Sequence, residues 1–149
     1  MRASRPVRVL LGMTAIALFA ATASVTIAGG RPLSADLWGA NEVPGPGDPD
    51  GSGWARVTLN QGQGEVCFQI SVANITLPAT GAHIHRGGPT VAGPVVVALT
   101  SPDASGTSAG CVSADSGLIK EIRQDPDAFY VNVHTTDYPA GAVRGQLSK

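Results

Sequence analysis

The stretch WARVTLNQGQGEVCFQISVA, residues 54–73, decides the fold class. Apolar residues occupy every second position on both sides of its glycine-rich centre: Ala55, Val57 and Leu59 before it, and Val66, Phe68, Ile70 and Val72 after it. A period of two places one side-chain set on one face of a β-strand. Because QGQG supplies a turn between the two runs, the stretch predicts a half-buried β-hairpin.

Short strand-like segments recur along the rest of the chain. LSADLW (33–38) alternates in the same way, and loops rich in Gly, Pro and Asp separate it from the segments that follow. The further predicted strands are AHIHR (82–86), VVVAL (95–99), CVSA (111–114), FYVNVHT (129–135) and VRGQL (143–147). VVVAL is continuously apolar, so we expect it to be buried on both faces.

One segment has the pattern of a helix. In DSGLIKEIRQDPD, residues 115–127, Asp115 or Ser116 can cap the first turn, and Asp125-Pro126 ends the helix. Leu118, Ile119 and Ile122 form one apolar stripe along it. The connections are otherwise too short for helical crossovers between parallel strands. We therefore predict an all-β fold, an antiparallel Greek-key sandwich or barrel of about seven to eight strands with one short helix.

The composition agrees with one compact domain. The chain has 149 residues, of which 43% are hydrophobic and 14% charged, with 19 Gly and 11 Pro. Its formal net charge is −1, and no cluster of Lys and Arg occurs. These values argue against a disordered chain and against a nucleic-acid-binding protein.

The first 28 residues have the pattern of an export signal. Arg2, Arg5 and Arg8 precede an apolar core, and small residues such as Ala21-Thr22-Ala23 offer a cleavage site. The alternative is an uncleaved N-terminal anchor, because the apolar stretch is just long enough to span a bilayer. We expect residues 33–149 to form a β domain that is secreted, periplasmic or extracellular, and attached to a membrane only if the N-terminal segment is retained.

Two cysteines, Cys67 and Cys111, are the only ones in the chain. In an oxidising compartment they are expected to form one disulfide bond. The alternative is a pair of buried free thiols. No C-x-x-C pair is present, which argues against a zinc site built on cysteine.

All three histidines of the chain, His83, His85 and His134, lie in two predicted strands and on the faces opposite Ile84 and Val133. If these strands are neighbours, the three imidazoles share one patch, within reach of a single metal ion. Imidazole suits copper and zinc alike. The alternative is a set of solvated or hydrogen-bonded histidines without a metal.

Three further residues are candidates for supporting roles. Asn132, two residues before His134, can hydrogen-bond a histidine or a ligand, or face water. Arg144 can attract an anion near His134, or pair with an acid such as Glu42 or Asp137 and hold a loop.

Several motifs together resemble the CHRD family, whose domain was first described in chordin. They are ANEVP (40–44), the segments around Cys67 and Gly110-Cys111, AHIHRGGPTVAGPVVVAL (82–99) and DPDAFYVNVHTTDYPAGAVRGQL (125–147). The resemblance covers residues 33–149. The family is widespread among exported proteins, but membership implies little biochemistry; chordin itself is an extracellular antagonist that binds growth factors.

A second resemblance is to the copper–zinc superoxide dismutases, which are Greek-key β-barrels. H-I-H (83–85) and V-N-V-H (131–134) are similar to the strands that carry copper ligands in that family, and a disulfide and a late arginine, Arg144, recur in type. This chain has no fourth histidine for the copper site and none for a zinc site. The resemblance therefore implies at most one copper ion held by three histidines.

Three functions follow from these observations. The first is an exported module that binds one transition-metal ion, copper in preference to zinc, through His83, His85 and His134. The second is a metal-free module that binds an extracellular protein or a cell-surface ligand through loops such as residues 39–53 and 100–110. The third is a dismutase-like redox enzyme. The sequence favours a binding role over catalysis, and no catalytic residue is predicted.

Overall fold

The computed structural model of the protein describes residues 32–149. The predicted signal or anchor, residues 1–28, lies outside this range. Eight strands and one helix follow in chain order: β1 (Leu33–Trp38), β2 (Ser52–Asn60), β3 (Glu65–Ala73), β4 (Gly81–Arg86), β5 (Val95–Leu99), β6 (Thr107–Ser113), α1 (Ser116–Gln124), β7 (Phe129–His134) and β8 (Val143–Gln146). Among these residues no helix is long and apolar enough to cross a membrane.

The strands form one antiparallel sheet in the order β5-β4-β7-β8-β1-β2-β3-β6. Strands far apart in sequence are paired at three places, β4 with β7, β8 with β1, and β3 with β6. The sheet curls into a nearly closed barrel around a single hydrophobic core, to which both ends of the sheet contribute. The predicted fold class is confirmed.

The hairpin of residues 54–73 has the register that its apolar pattern predicts. Val57 faces Phe68 and Ala55 faces Ile70 across β2 and β3, and these four side chains are almost completely buried. Opposed apolar side chains on one face stabilise an antiparallel pair.

The helix α1 covers the core as predicted. Asp115 caps it, because its carboxylate accepts a hydrogen bond of 2.9 Å from the N–H of Leu118. Ile119 and Ile122 are fully buried against the sheet, so the apolar stripe predicted for this segment points inward.

Two expectations about strands are wrong. The segment 95–99 is not buried on both faces, because β5 lies at the edge of the sheet and Val95 is half exposed. An edge strand has a neighbour on one side only and is easier to expose. The strand predicted over 111–114 begins earlier, at Thr107, because the chain pairs with β3 from Ser71↔Thr107 onward.

Candidate metal centre

The three histidines come together because β4 and β7 are neighbours. In the antiparallel register His83 lies opposite Asn132, and Gly81 lies opposite His134. Gly81 is the position where a side chain would crowd the rings, since a Cβ there would lie 3.2 Å from Cε1 of His83 and 3.4 Å from Cδ2 of His134. The absence of a side chain at Gly81 therefore lets the two imidazoles approach each other.

The ring nitrogens lie close enough to share an ion. Nδ1 of His83 is 3.1 Å from Nε2 of His134. One nitrogen from each of His83, His85 and His134 can be chosen so that all three lie within 4.8 Å of one another. The sequence predicted these residues as metal ligands, and the structure brings all three of them into one cluster.

Backbone carbonyls fix the tautomers of two of the rings. Nδ1 of His85 is 2.8 Å from the carbonyl oxygen of Gly93, and Nδ1 of His134 is 3.0 Å from that of Pro139. Because a carbonyl oxygen only accepts hydrogen bonds, both Nδ1 atoms donate. In the neutral rings both Nε2 atoms then carry a lone pair, which has no partner in His85 and lies 3.1 Å from Nδ1 of His83 in His134. Metal-bound histidines in proteins are usually held in this way.

Nε2 of His85 is buried and has no hydrogen-bond partner among the described residues. The His85 side chain is itself only 8% exposed. A buried polar atom without a partner costs about 1–3 kcal/mol, so native proteins rarely leave one. A ligand that accepts this lone pair, such as a metal ion, removes that cost.

Burial also favours the uncharged form of two of the rings. The pKa of His83 is lowered, first by burial and then by the neighbouring rings of His134 and His85. The pKa of His134 is also lowered, mainly by burial, although the hydrogen bond to Pro139 opposes the shift. Both rings are therefore neutral at pH 7, and only a neutral imidazole binds a metal.

Asn132 lies beside the cluster and is 2% exposed. Its side-chain oxygen is 3.1 Å from Nε2 of His134. An amide accepts a hydrogen bond from a protonated ring or, when turned over, donates one to a neutral ring. Of the two roles open to Asn132, hydrogen bonding to a histidine is the one its position supports.

Tyr130 lies under the cluster, and sequence reasoning missed it. His85 stacks on its ring with 4.8 Å between centroids and 8° between planes, while the guanidinium of Arg144 lies 3.4 Å from the same centroid. The Tyr130 hydroxyl accepts a hydrogen bond from the N–H of Gly93, the residue that holds His85. The alternation of FYVNVHT places Tyr130 on the same face as His134, and this pattern could have identified it as part of the site. Nothing in the sequence pointed to the carbonyls of Gly93 and Pro139.

Arg144 and Glu42 lie on the same side of the sheet but do not pair directly. Arg144 is 1% exposed, and its Nη2 donates to the carbonyl of Gly88 at 2.7 Å. Among the described residues the one ion pair within 4.0 Å is Arg86–Glu121. The other acid considered for Arg144, Asp137, instead accepts a hydrogen bond from Thr76.

The two cysteines form a disulfide bond on the opposite part of the sheet. Cys67 in β3 is directly opposite Cys111 in β6, with 3.9 Å between Cα atoms. No free cysteine is left in the described part of the chain. The alternative of two free thiols is wrong.

A comparison with models of protein families gives a match. The family model of the CHRD domain matches residues 33–147, which is nearly the whole described range. No curated protein matches the chain.

Proposed function

Since the chain belongs to the CHRD domain family, we propose that it is an exported CHRD protein that binds one transition-metal ion, copper in preference to zinc. The ligands are Nδ1 of His83 and Nε2 of His85 and His134. The observation that carries the proposal is the buried, partnerless Nε2 of His85 at the edge of a three-histidine cluster. The disulfide supports export, because such bonds persist in oxidising compartments.

The spacing of the rings suits a metal. Two nitrogens 3.1 Å apart, each about 2.05 Å from one ion, subtend an angle of about 98° at that ion. This value lies between the 90° of a square-planar site and the 109° of a tetrahedral one. Nε2 of His85 completes the three ligands after a small movement of the rings, and a fourth position stays open for water or another ligand.

Copper is preferred for two reasons. For a given nitrogen site, affinity among divalent ions of the first row is highest for Cu²⁺. Three imidazoles without a carboxylate or thiolate also resemble the copper ligands of the dismutase family that the H-I-H and V-N-V-H segments suggested. No residue of the cluster favours Mg²⁺ or Ca²⁺, which prefer oxygen ligands.

The test is a competitive titration of the metal-free protein with Cu²⁺ and Zn²⁺ against a chromophoric chelator. We expect one ion per chain, tighter binding of Cu²⁺ than of Zn²⁺, and large losses of affinity in His83→Ala and His134→Ala. Circular dichroism and urea unfolding of the variants establish that they are folded. A stoichiometry of zero, or equal binding by the histidine variants, contradicts the proposal.

A second candidate function is a metal-free module that binds an extracellular protein or a cell-surface ligand. The outer face of β1 and β2 favours it, because Trp38 is 53% exposed and Trp54 is 43% exposed. Trp54 also lines a cavity of about 590 Å³ together with Asp103 of the loop that precedes β6. Exposed aromatic side chains beside polar groups are common at binding surfaces. Partner binding that survives a chelator and is lost in Trp54→Ala distinguishes this function from metal binding.

A further inference from the structure

A cavity of about 380 Å³ lies beside Glu42 and Arg144. Its walls come from residues 40–43, from Pro89, and from Arg144 and Gln146 of β8. Arg144 packs on the ring of Tyr130. No residue of this cavity belongs to the three-histidine cluster, so it is a separate place on the same outer face.

Two charged side chains that line this cavity each have a buried atom without a partner. Oε1 of Glu42 and Nη1 of Arg144 have no hydrogen-bond partner among the described residues. The side chains themselves are almost fully buried, at 6% and 1% exposure. Buried charged groups are normally paired and hydrogen-bonded, because an unpaired one loses its hydration without compensation.

The neighbouring polar groups are already occupied. Nη2 of Arg144 donates to the carbonyl of Gly88 and to the side chain of Gln146, at 2.7 and 3.2 Å. The side-chain amide of Asn41 donates to the carbonyl of Arg144. Glu42 and Arg144 are also more than 4.0 Å apart, so they cannot satisfy each other directly. A group that satisfies these two atoms therefore has to come from outside these side chains.

We propose that this cavity binds the carboxylate of a small organic acid, one oxygen of which accepts a hydrogen bond from Nη1 of Arg144 while the other lies within hydrogen-bonding distance of the carboxyl group of Glu42. A carboxylate presents two oxygens, one for each of these two side chains in the wall of the cavity. Arg144 supplies the countercharge. The side chains of Val43 and Pro89 leave an apolar wall for a short alkyl group.

The protonation state of Glu42 allows its carboxyl group to donate a hydrogen bond. Burial raises its pKa from 4.5 to about 7, and the opposing effects of the Arg144 charge and of a hydrogen bond from the Val43 backbone are smaller. Below pH 7 the carboxyl therefore holds a proton. A monoanion is favoured over a dianion such as sulfate, because the site offers one positive charge.

The experiment is calorimetric titration of the purified, metal-free protein with sodium acetate at pH 6, with neutral acetamide as the matched control ligand. We expect acetate to bind at one site and acetamide to bind at least tenfold more weakly. Above pH 7 the affinity for acetate should fall about tenfold per pH unit, because the Glu42 proton is lost. Sulfate should bind more weakly than acetate.

Variants connect the binding to these two residues. Glu42→Gln keeps a donor at this position, so acetate binding should persist and lose its dependence on pH between 6 and 8. Arg144→Gln should weaken it at least tenfold. Because Arg144 is buried, the folding of that variant has to be checked. A second variant, Glu42→Leu, removes the donor and leaves the guanidinium in place, and it should lose a similar amount of affinity for acetate. Arg56→Gln, on the exposed face of β2, is the control that should bind like wild type.

Absence of acetate binding at pH 6 overturns the proposal. So does equal binding of acetate and acetamide, or unchanged acetate binding in both Glu42→Leu and Arg144→Gln. The outcome is independent of the metal site, because His85→Ala should still bind acetate. Failure of one proposal therefore leaves the other standing.

Discussion

Strands β1 and β7 have the same length, but their outward-facing side chains differ in burial. In β1 buried and exposed residues alternate strictly, ending with Trp38 at 53% exposure. In β7 the first five residues are all buried, including Tyr130 and Asn132, which point away from the core. We call β4, β7 and β8 the covered half of the sheet, and β1, β2, β3 and β6 the open half; the edge strand β5 is partly exposed and belongs to neither.

The covered half is buried because two loops lie over it. Residues 87–94 are tied down by the hydrogen bond from Gly93 to Tyr130 and by that from Arg144 to Gly88. The loop after β1 is held by the hydrogen bond from Asp48 to the carbonyl of Ala142. No residue of either loop belongs to the hydrophobic core, so the buried polar side chains beneath these loops point to a function on this half. The open half is held together by its hairpin and by the disulfide.

The largest expected difference between the halves is in metal affinity. We expect His85→Ala to weaken Cu²⁺ binding at least a thousandfold, about 4 kcal/mol, because one of three ligands is lost. Gln69→Ala, an exposed position of β3 on the open half, is the matched control and should bind Cu²⁺ like wild type. The measurement is competition with a chelator. A change of less than tenfold in His85→Ala would contradict the assignment.

The disulfide should affect stability without affecting the metal. The two cysteines are 44 residues apart, and the double variant Cys67→Ser, Cys111→Ser should lose about 3 kcal/mol of unfolding free energy, since the chain-entropy model sets about 4 kcal/mol before strain is considered. Urea unfolding measures this. The affinity for Cu²⁺ should stay within a factor of two; a parallel loss would mean that the two halves are coupled.

The carboxyl of Glu42 should make the covered half sensitive to pH. Its pKa is about 7 in the folded protein and about 4.5 in the unfolded chain, so the folded state holds the proton more tightly. Its contribution to stability is therefore complete below pH 4.5 and is lost as the pH rises through 7.

Glu42→Gln removes this dependence. Relative to wild type, the free energy of unfolding of the variant should rise by about 2 kcal/mol between pH 4.5 and pH 8. This value is smaller than the full pKa shift would give, because solvent screens part of the effect. Urea unfolding at the two pH values measures the gain. A constant difference between variant and wild type at both pH values would show that the carboxyl is not perturbed.

The smallest effect is expected on the open half. Trp38→Ala and Trp54→Ala should each change the free energy of unfolding by less than about 1 kcal/mol, because both indoles are largely exposed. Thermal or urea unfolding checks this. A loss of 3 kcal/mol or more, as for a buried tryptophan, would mean that something covers this face.

The sequence predicted the open half better than the covered half. The alternation of apolar residues in β1, β2 and β3 correctly predicted which side chains point into the core, because one face of these strands meets water and the other meets the core. It also placed His83, His85 and His134 on one face. It could not predict that Tyr130 and Asn132 are buried, since their cover comes from loops whose path depends on tertiary contacts. The separation of Glu42 from Arg144 depends on the same loops.

The central claim is that three imidazoles of the covered half bind one ion. X-ray absorption at the copper edge, on protein loaded with one equivalent of Cu²⁺, tests it most directly. We expect three imidazole nitrogens at about 2 Å from the metal, and a spectrum with fewer of them in His85→Ala. Fewer than three imidazoles in the wild-type protein, or an identical spectrum in His85→Ala, would contradict it.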